Sequence, residues 1–229
     1  MASELGTVIV TGGSSGLGDA VAHAVHDAGG VPVVLDLAPP ANGFAAHRID
    51  LADTRASEAA VEAVAREHGA IAGVVTAAGI DACGRLADVD ADAWERVVAV
   101  NLLGTAAVVR ASLPHLERSE GRVITVASTL GLKAVSDATA YCASKFGVVG
   151  FTRALAAETA GRVGVTLLIP GGMRTRFFDD RPEQYKPGAD ARLADPSEIA
   201  QAVVFALSRP AGVELRELVI AVDTEPSWP

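Results

Sequence analysis

Aromatic side chains are scarce in this chain: two Trp, two Tyr and six Phe make up 4% of its 229 residues. Half of the residues are hydrophobic all the same, so the core must be built from Ala, Val, Leu and Ile rather than from stacked rings. That composition suits helices packed on a buried parallel sheet. The length fits one domain over residues 1–229, because α/β folds run to about 200–250 residues as a single unit.

Positive charge is also in short supply. The chain has 19 Lys and Arg against 28 Asp and Glu, a net charge of −9, whereas binding to a nucleic-acid backbone needs clustered cations. No apolar run reaches the roughly 18 residues of a membrane span, and the first ten residues lack the order of a signal peptide. We therefore expect a cytoplasmic protein with neither a nucleic-acid partner nor a membrane span.

Cysteine is nearly absent. Cys83 and Cys142 are far apart and form no CxxC or metal-ligand spacing. Such a pair predicts reduced thiols, with neither a disulfide nor a metal site.

Apolar runs of strand length alternate with stretches of helical periodicity along the chain. The predicted strands cover residues 5–11, 31–35, 45–49, 71–76, 122–127, 163–169 and 217–222. The predicted helices cover about 19–28, 55–68, 92–116, 140–160 and 197–208. This alternation implies an α/β fold, a doubly wound parallel sheet of about seven strands with helices on both faces. Residues 171–196, rich in Gly, Pro and charge, predict a long functional loop.

The letters TGGSSGLG follow the first predicted strand directly and open the first helix. Free N–H groups and the positive end of a helix can bind a pyrophosphate at such a turn. Gly12, Gly16 and Gly18 permit close backbone approach, with Ser15 and Leu17 between them. The placement favours a Rossmann-type dinucleotide site over an ordinary tight turn.

The same segment also matches the nucleophile elbow of hydrolases, with Ser14 as the nucleophile. A hydrolase needs an oxyanion loop from an earlier strand. Ser14 follows the first strand, so nothing precedes it to supply that loop, and the dinucleotide interpretation is favoured.

An acidic residue ends the second predicted strand. Asp36 lies 24 residues after Gly12, close to the roughly 20-residue offset at which a carboxylate meets the adenosine ribose hydroxyls. A carboxylate there repels a 2′-phosphate, and Ser15 and Leu37 offer no base to neutralise one. The pattern predicts NAD rather than NADP, unless Asp36 is only a solvated residue at a loop start.

Tyr141 and Lys145 are spaced i, i+4 on a predicted helix and therefore share one face. A phenol with a pKa of about 10 is a poor acid/base at neutral pH, and a neighbouring ammonium favours the phenolate. Lowering that pKa by about 3 units requires about 4 kcal/mol. We expect Lys145 to lower the pKa of Tyr141; the alternative is an unremarkable ring and charge on a surface helix.

Two further polar residues stand at suggestive positions. Ser128 lies just past a predicted strand, at the carboxyl edge where ligands bind, and its hydroxyl can hold a substrate oxygen. Asn101 falls inside an apolar helical stretch, where its amide can bind a proton-relaying water. Taken singly, each residue favours the plainer interpretation, Ser128 as a turn residue and Asn101 as a satisfied core amide.

Together these residues resemble the short-chain dehydrogenase/reductase family, in its compact single-domain branch, over nearly the whole chain. Five signatures occur in order: the TGxxxGxG turn, Asp50-Leu51 after the third strand, Thr76-Ala77-Ala78-Gly79 after the fourth, Tyr141-Cys142-Ala143-Ser144-Lys145, and Pro170-Gly171 with Thr175. Two stretches depart from the family: it often has Asn-Asn-Ala-Gly at positions 76–79, and a glycine pair after the aspartate corresponding to Asp223.

The resemblance implies a catalytic tetrad of Asn101, Ser128, Tyr141 and Lys145. It implies cofactor contacts from the glycine turn, Asp36 and a further set: Asp50, Leu51, Ala77, Ala78, Gly79, Tyr141, Lys145, Pro170, Gly171, Met173 and Thr175. It also implies a homotetramer or homodimer joined through the helices of Asn101 and Tyr141. Residues 171–196 then form a lid on the substrate side.

The expected activity is NAD-dependent hydride transfer between a secondary alcohol and a ketone, with a small carbonyl or alcohol as substrate. The alternatives are an NADP-preferring 3-oxoacyl reductase-like enzyme and a dinucleotide sensor without chemistry. An apolar pocket wall is expected from Leu130, Leu132, Val135, Met173, Phe177 and Phe178. Arg174 and Arg176 either attract a carboxylate or point to water.

Overall fold

Seven strands form one parallel sheet in the computed structural model, which describes residues 5–228. The strands are Thr7–Thr11 (β1), Val31–Asp36 (β2), Ala45–Arg48 (β3), Ile71–Thr76 (β4), Arg122–Val126 (β5), Gly164–Pro170 (β6) and Glu217–Ile220 (β7). Their order across the sheet is β3-β2-β1-β4-β5-β6-β7. The sequence prediction of a Rossmann-type, doubly wound parallel sheet is confirmed.

Within residues 5–228, six α-helices connect the strands and cover both faces of the sheet. They are Gly16–Asp27 (α1), Thr54–His68 (α2), Ala91–Val98 (α3), Thr105–Ser119 (α4), Thr139–Glu158 (α5) and Pro196–Leu207 (α6). Aspartates cap three of them: Asp53, Asp90 and Asp195 accept backbone N–H groups in the first turns of α2, α3 and α6. These caps fix where the helices begin, because the first N–H groups of a helix lack partners within it.

Alternate residues of each strand supply two separate cores. Ile9 packs with α2, α4 and α5 on one face, whereas Val8 and Val10 pack with α1 and α6 on the other. This follows from the two-residue repeat of a strand. The largest fully buried side chains among the described residues are Ile, Leu and Val, so the expectation of an aliphatic core is confirmed.

The strand order reverses at β1, whose neighbours are β2 and β4. Helices leave in opposite directions at such a switch point and open a crevice beyond the carboxyl ends of the strands. A hydrogen bond from the Ala78 N–H to Thr11 Oγ1, 3.1 Å, joins the loops after β1 and β4 there. The fold thus places its ligand crevice beside the glycine turn.

A π-helical turn, Ala99–Gly104, joins α3 to α4 where a regular helix is predicted from the sequence. The combined helix Ala91–Ser119 is long and apolar enough to cross a membrane, but half of its most apolar window is buried inside the fold. Asn101 sits in the π turn, fully buried. Because π turns often occur at functional sites, this one indicates that the functional site lies near Asn101.

Candidate active site

The glycine turn between β1 and α1 is shaped by close backbone contacts. Gly12 has a φ of +70°, and a Cβ on it would lie 2.7 Å from Ala78 Cα. A Cβ on Gly18 would lie 2.2 Å from the Gly12 carbonyl oxygen. Ser15, the N-cap of α1, makes no side-chain cap bond. The first N–H groups of the helix are therefore left for another acceptor, and the cradle fits a pyrophosphate.

Asp36 is held in position at the end of β2. Its carboxylate accepts the Ser14 N–H (3.0 Å) and the Ala38 N–H (3.1 Å). A base that the sequence spacing does not reveal lies nearby. Arg48 stands opposite Asp36 in the register of β2 and β3, and its Nε donates to the Leu37 carbonyl at 3.0 Å. That bond engages Arg48 with the loop after β2.

One cavity of about 770 Å³ lies beyond the carboxyl ends of the strands, within the range of roughly 300–1,000 Å³ typical of small-molecule sites. It brings together most of the residues selected from the sequence: Gly12, Ser15, Gly16, Leu17, Asp36, Asp50, Leu51, Ala77, Ala78, Gly79, Ser128, Tyr141, Lys145, Pro170, Gly171, Met173 and Thr175. Asp50 also pairs with Arg96, 3.0 Å away, which lines the cavity as well. The residues present therefore fit a dinucleotide.

Two predicted site residues do not line this cavity. Gly18 packs behind the turn against Gly12. The Asn101 amide donates to the Ile80 carbonyl (2.9 Å) and Ser144 Oγ (3.0 Å), and it accepts the Ile80 N–H (2.9 Å). Three of its four hydrogen-bonding sites are used in this way. The side chain is thus a satisfied core amide that ties the loop after β4 to α5.

Ser128, Tyr141 and Lys145 line the same cavity. Ser128 caps a short 3₁₀ turn, and its Oγ accepts the Leu130 N–H at 3.1 Å. Lys145 is 3% exposed. Its Nζ donates to the Val126 carbonyl at 2.9 Å and lies 5.6 Å from the centroid of the Tyr141 ring. The i, i+4 spacing therefore brings amine and phenol to the same pocket.

The pKa values at this site run opposite to the sequence prediction. Burial raises the pKa of Tyr141 to about 12, and the hydrogen bond with Ser128 only partly offsets that rise. Burial also lowers the pKa of Lys145 to about 8. The expected net lowering of the Tyr141 pKa is therefore wrong, because burial disfavours the phenolate.

The first part of the segment 171–196, as far as Arg181, lines one side of the cavity. Phe177 packs on Tyr141 with ring centroids 5.6 Å apart. Arg181 stacks on Phe177 and Phe178 and pairs with the largely buried Asp81, Nη2 to Oδ2 2.6 Å. This ion pair ties the segment to the loop after β4.

The expected apolar wall is largely present: Leu130, Val135, Met173, Phe177 and Phe178 line the cavity, together with Arg176. Leu132 and Arg174 do not. Leu132 packs instead against the cluster of Val148, Val149 and Ile169. Sequence reasoning missed Thr129, Arg181, Glu225 and Ser227, all of which line the cavity. Only the departure of the tail from the family pattern could have drawn attention to Glu225 and Ser227.

The family model described as short chain dehydrogenase matches residues 6–186 of this chain. The chain belongs to the short-chain dehydrogenase family. It is therefore an oxidoreductase of a family that binds a nicotinamide dinucleotide. The alternative interpretation of the glycine turn as the nucleophile elbow of a hydrolase is rejected. Consistent with this, the Ser14 hydroxyl donates to the Ala38 carbonyl.

Curated relatives match over nearly their full length. A D-threitol dehydrogenase of Mycolicibacterium smegmatis is 36% identical, covering 87% of this chain and 85% of the relative. The 2-(S)-hydroxypropyl-CoM dehydrogenase 3 of Xanthobacter autotrophicus is 33% identical, covering 88% and 89%. The meso-2,3-butanediol dehydrogenase of Serratia marcescens is 29% identical, covering 88% and 86%.

Solved structures of dehydrogenases share the fold. The ligand-free aldohexose dehydrogenase of Thermoplasma acidophilum superposes with a TM-score of 0.87 at 25% identity, covering 96% of this chain and 95% of that one. An actinorhodin polyketide ketoreductase with NADPH gives 0.83 at 28% identity, covering 96% and 98%.

Proposed function

We propose that this short-chain dehydrogenase interconverts a secondary alcohol and a ketone with NAD(H), and that Tyr141 is its acid/base. The observation that carries the proposal is the single cavity onto which Ser128, Tyr141, Lys145 and the glycine turn all open. Membership of an oxidoreductase family gives these residues a use that a dinucleotide sensor does not have.

In this proposal the residues act by position and charge. Ser128 and Tyr141 hold the substrate oxygen, and in the reduction direction Tyr141 donates its proton to that oxygen. Lys145, an ammonium below pH about 8, stabilises the negative charge that develops on the phenol. When bound, the nicotinamide supplies or accepts the hydride.

A screen of alcohols with NAD, and of ketones and 3-oxoacyl compounds with NADH, tests this function directly. The relatives are named for D-threitol, meso-2,3-butanediol and 2-(S)-hydroxypropyl-CoM, so short secondary alcohols and diols come first. Absorbance of the reduced nicotinamide reports turnover. Absence of turnover across the whole panel contradicts the proposal.

We propose NAD as the preferred cofactor because the acidic residue Asp36 lines the cavity. The double variant Asp36→Ala with Leu37→Arg should raise the NADP/NAD ratio of kcat/KM by about a hundredfold, since repulsion is replaced by a cation. Steady-state kinetics with both cofactors measures the ratio.

The single variant Asp36→Ala is the control for that change. This variant removes the repelling carboxylate but adds no cation, and the nearby Arg48 is bound to the Leu37 carbonyl. The NADP/NAD ratio of kcat/KM should therefore rise by less than in the double variant. An unchanged ratio in the double variant would mean that Asp36 does not contact the ribose.

We also propose that residues 171–196 act as the substrate-side lid of a single domain. Two short 3₁₀ helices, Arg176–Phe178 and Glu183–Tyr185, give this segment structure of its own. Its Arg181–Asp81 bond anchors it over Tyr141.

We propose a cytoplasmic location for the enzyme. The free thiols of Cys83 and Cys142 are compatible with the reducing conditions of the cytoplasm.

A homotetramer or homodimer is the proposed assembly. Leu103 and Phe146 lie on the helices of Asn101 and Tyr141 and are 50% and 44% exposed. Phe146→Glu should dissociate the oligomer to smaller species, because a charge at an apolar interface is costly. Light scattering after size exclusion measures the mass. A monomeric wild-type protein would contradict the assembly.

A further inference from the structure

Residues near the end of the described range lie against the cavity. Residues 223–228, here called the C-terminal segment, bring Glu225 and Ser227 to its wall. Lys133 Nζ donates to the Pro226 carbonyl at 3.1 Å, which fixes the segment against the loop after β5. The Gly172 N–H donates to Glu225 Oε2 at 2.8 Å, which fixes it against the loop after β6.

A short chain of hydrogen bonds runs along this wall. Ser227 Oγ donates to Glu225 Oε1 at 2.6 Å, and Ser227 Oγ lies 2.6 Å from Thr129 Oγ1. Thr129 directly follows Ser128 and also lines the cavity. The chain therefore links the carboxylate to the immediate neighbour of the residue proposed to hold the substrate oxygen.

The direction of these bonds is fixed by the charge of Glu225. Burial raises the pKa of this carboxyl, but hydrogen bonds from Ser227 and from the Gly172 N–H outweigh burial and bring the pKa below its ordinary value. Glu225 is thus ionised at neutral pH and can only accept hydrogen bonds. Ser227 donates its one hydroxyl proton to Glu225. In the hydrogen bond between Thr129 and Ser227, Thr129 must therefore be the donor.

The hydroxyl protons of Thr129 and Ser227 are thus both used and cannot be donated to a ligand. Acceptor lone pairs remain on Thr129, Ser227 and Glu225. We infer that Thr129, Ser227 and Glu225 form an acceptor wall that recognises a second hydroxyl of the substrate, so that the preferred substrates are neutral vicinal diols and polyols. The inference rests on the proposed function and names the substrate class of that site.

The charges around the cavity agree with a neutral substrate. A carboxylate or an ether oxygen brought to the acceptor wall would meet lone pairs and a negative charge, and it would receive no proton in return. Arg181 also lines the cavity, but its charge is paired with Asp81. Arg176 lines it too, together with two nearby acidic residues, Asp179 and Asp180. A hydroxyl is the group that can donate to this wall.

Three alcohols that differ only next to the reacting carbon test the wall: butane-2,3-diol, 3-methoxybutan-2-ol and butan-2-ol. The methoxy compound keeps the second oxygen but lacks its proton. We expect the wild-type kcat/KM with NAD to be at least about tenfold higher for the diol than for either analogue, because a hydrogen bond to a charged acceptor is lost. Equal values for the diol and the methoxy compound would overturn the inference.

Ser227→Ala gives a second, sharper readout. It frees the Thr129 proton, which can then be donated to an ether oxygen, so the preference for the diol over the methoxy compound should fall to within about threefold. Ser227→Thr keeps the hydroxyl and should restore the preference. Retention of the full preference in Ser227→Ala would contradict the role of the wall.

The matched control is Ser208→Ala. Ser208 ends α6 and donates to the Phe205 carbonyl away from the cavity, so this variant should keep the wild-type preference. Fluorescence titration with NADH separates a damaged cofactor site from a changed wall. Turnover of all three alcohols at equal rates would defeat the wall alone, whereas no turnover of any alcohol would defeat the proposed function and the inference with it.

Discussion

Tyr141→Phe should lower kcat/KM by roughly 10²–10⁴-fold, the usual contribution of a positioned general acid or base, and leave NADH affinity within about twofold of the wild type. The change removes one hydroxyl and keeps the ring. The ring should stay packed against Phe177 and near Lys145, so the cavity keeps its shape. Only the proton that reaches the substrate oxygen is lost.

Steady-state kinetics and NADH fluorescence titration measure the two quantities independently. Tyr185→Phe is the matched control, since Tyr185 belongs to the lid and is absent from the cavity wall. It should retain activity near that of the wild type. Turnover by Tyr141→Phe at more than about a tenth of the wild-type rate would remove Tyr141 from the mechanism.

Lys145→Met should abolish turnover and at the same time stabilise the fold at pH 7. Burial lowers the pKa of Lys145 from 10.5 to about 8, a shift that corresponds to a penalty of about 3 kcal/mol for burying the ammonium. Met fills the same space without a charge. The bond to the Val126 carbonyl is lost at a cost of about 1 kcal/mol, so a net gain of about 2 kcal/mol is expected.

The pH dependence of that gain follows from the sign of the shift. Below pH about 8 the amine is charged in both the folded and the unfolded protein, and the penalty is fully present. Between pH about 8 and 10.5 the folded protein loses the proton first, so wild-type stability rises and the advantage of Met shrinks. Urea unfolding at pH 7 and pH 10 measures both values. A variant less stable than the wild type at pH 7 would show that Lys145 supports the fold.

Most strands were predictable because they are apolar runs, a local property of the chain; β3, with His47 and Arg48, is the exception. The glycine turn was predictable for the same reason. The π turn was not, because the apolar pattern around Asn101 continues without a break. The Asn101 side chain in this turn exchanges a pair of hydrogen bonds with Ile80, 21 residues away, a contact that the local sequence does not reveal.

Some features of the candidate site were likewise predictable from the sequence, and others were not. The spacing of Tyr141 and Lys145 places both on one helix face, and the cavity brings them together. The predicted lowering of the Tyr141 pKa was wrong because the pKa is raised by burial. That burial comes from segments distant in the sequence, which the spacing does not reveal. Glu225 and Ser227 lie more than 80 residues from Tyr141 and carry no local motif, so only the folded chain shows them at the cavity.

The most direct test of the central claim uses NADH deuterated at the transferable position of the nicotinamide. Incubated with the wild-type protein and butane-2,3-dione or 3-hydroxybutan-2-one, it should place deuterium on the new carbinol carbon, as read by mass spectrometry. The Tyr141→Phe protein, binding the same cofactor, should place almost none. Deuterium transfer by the variant at the wild-type rate, or none by the wild type with any ketone, would contradict the account.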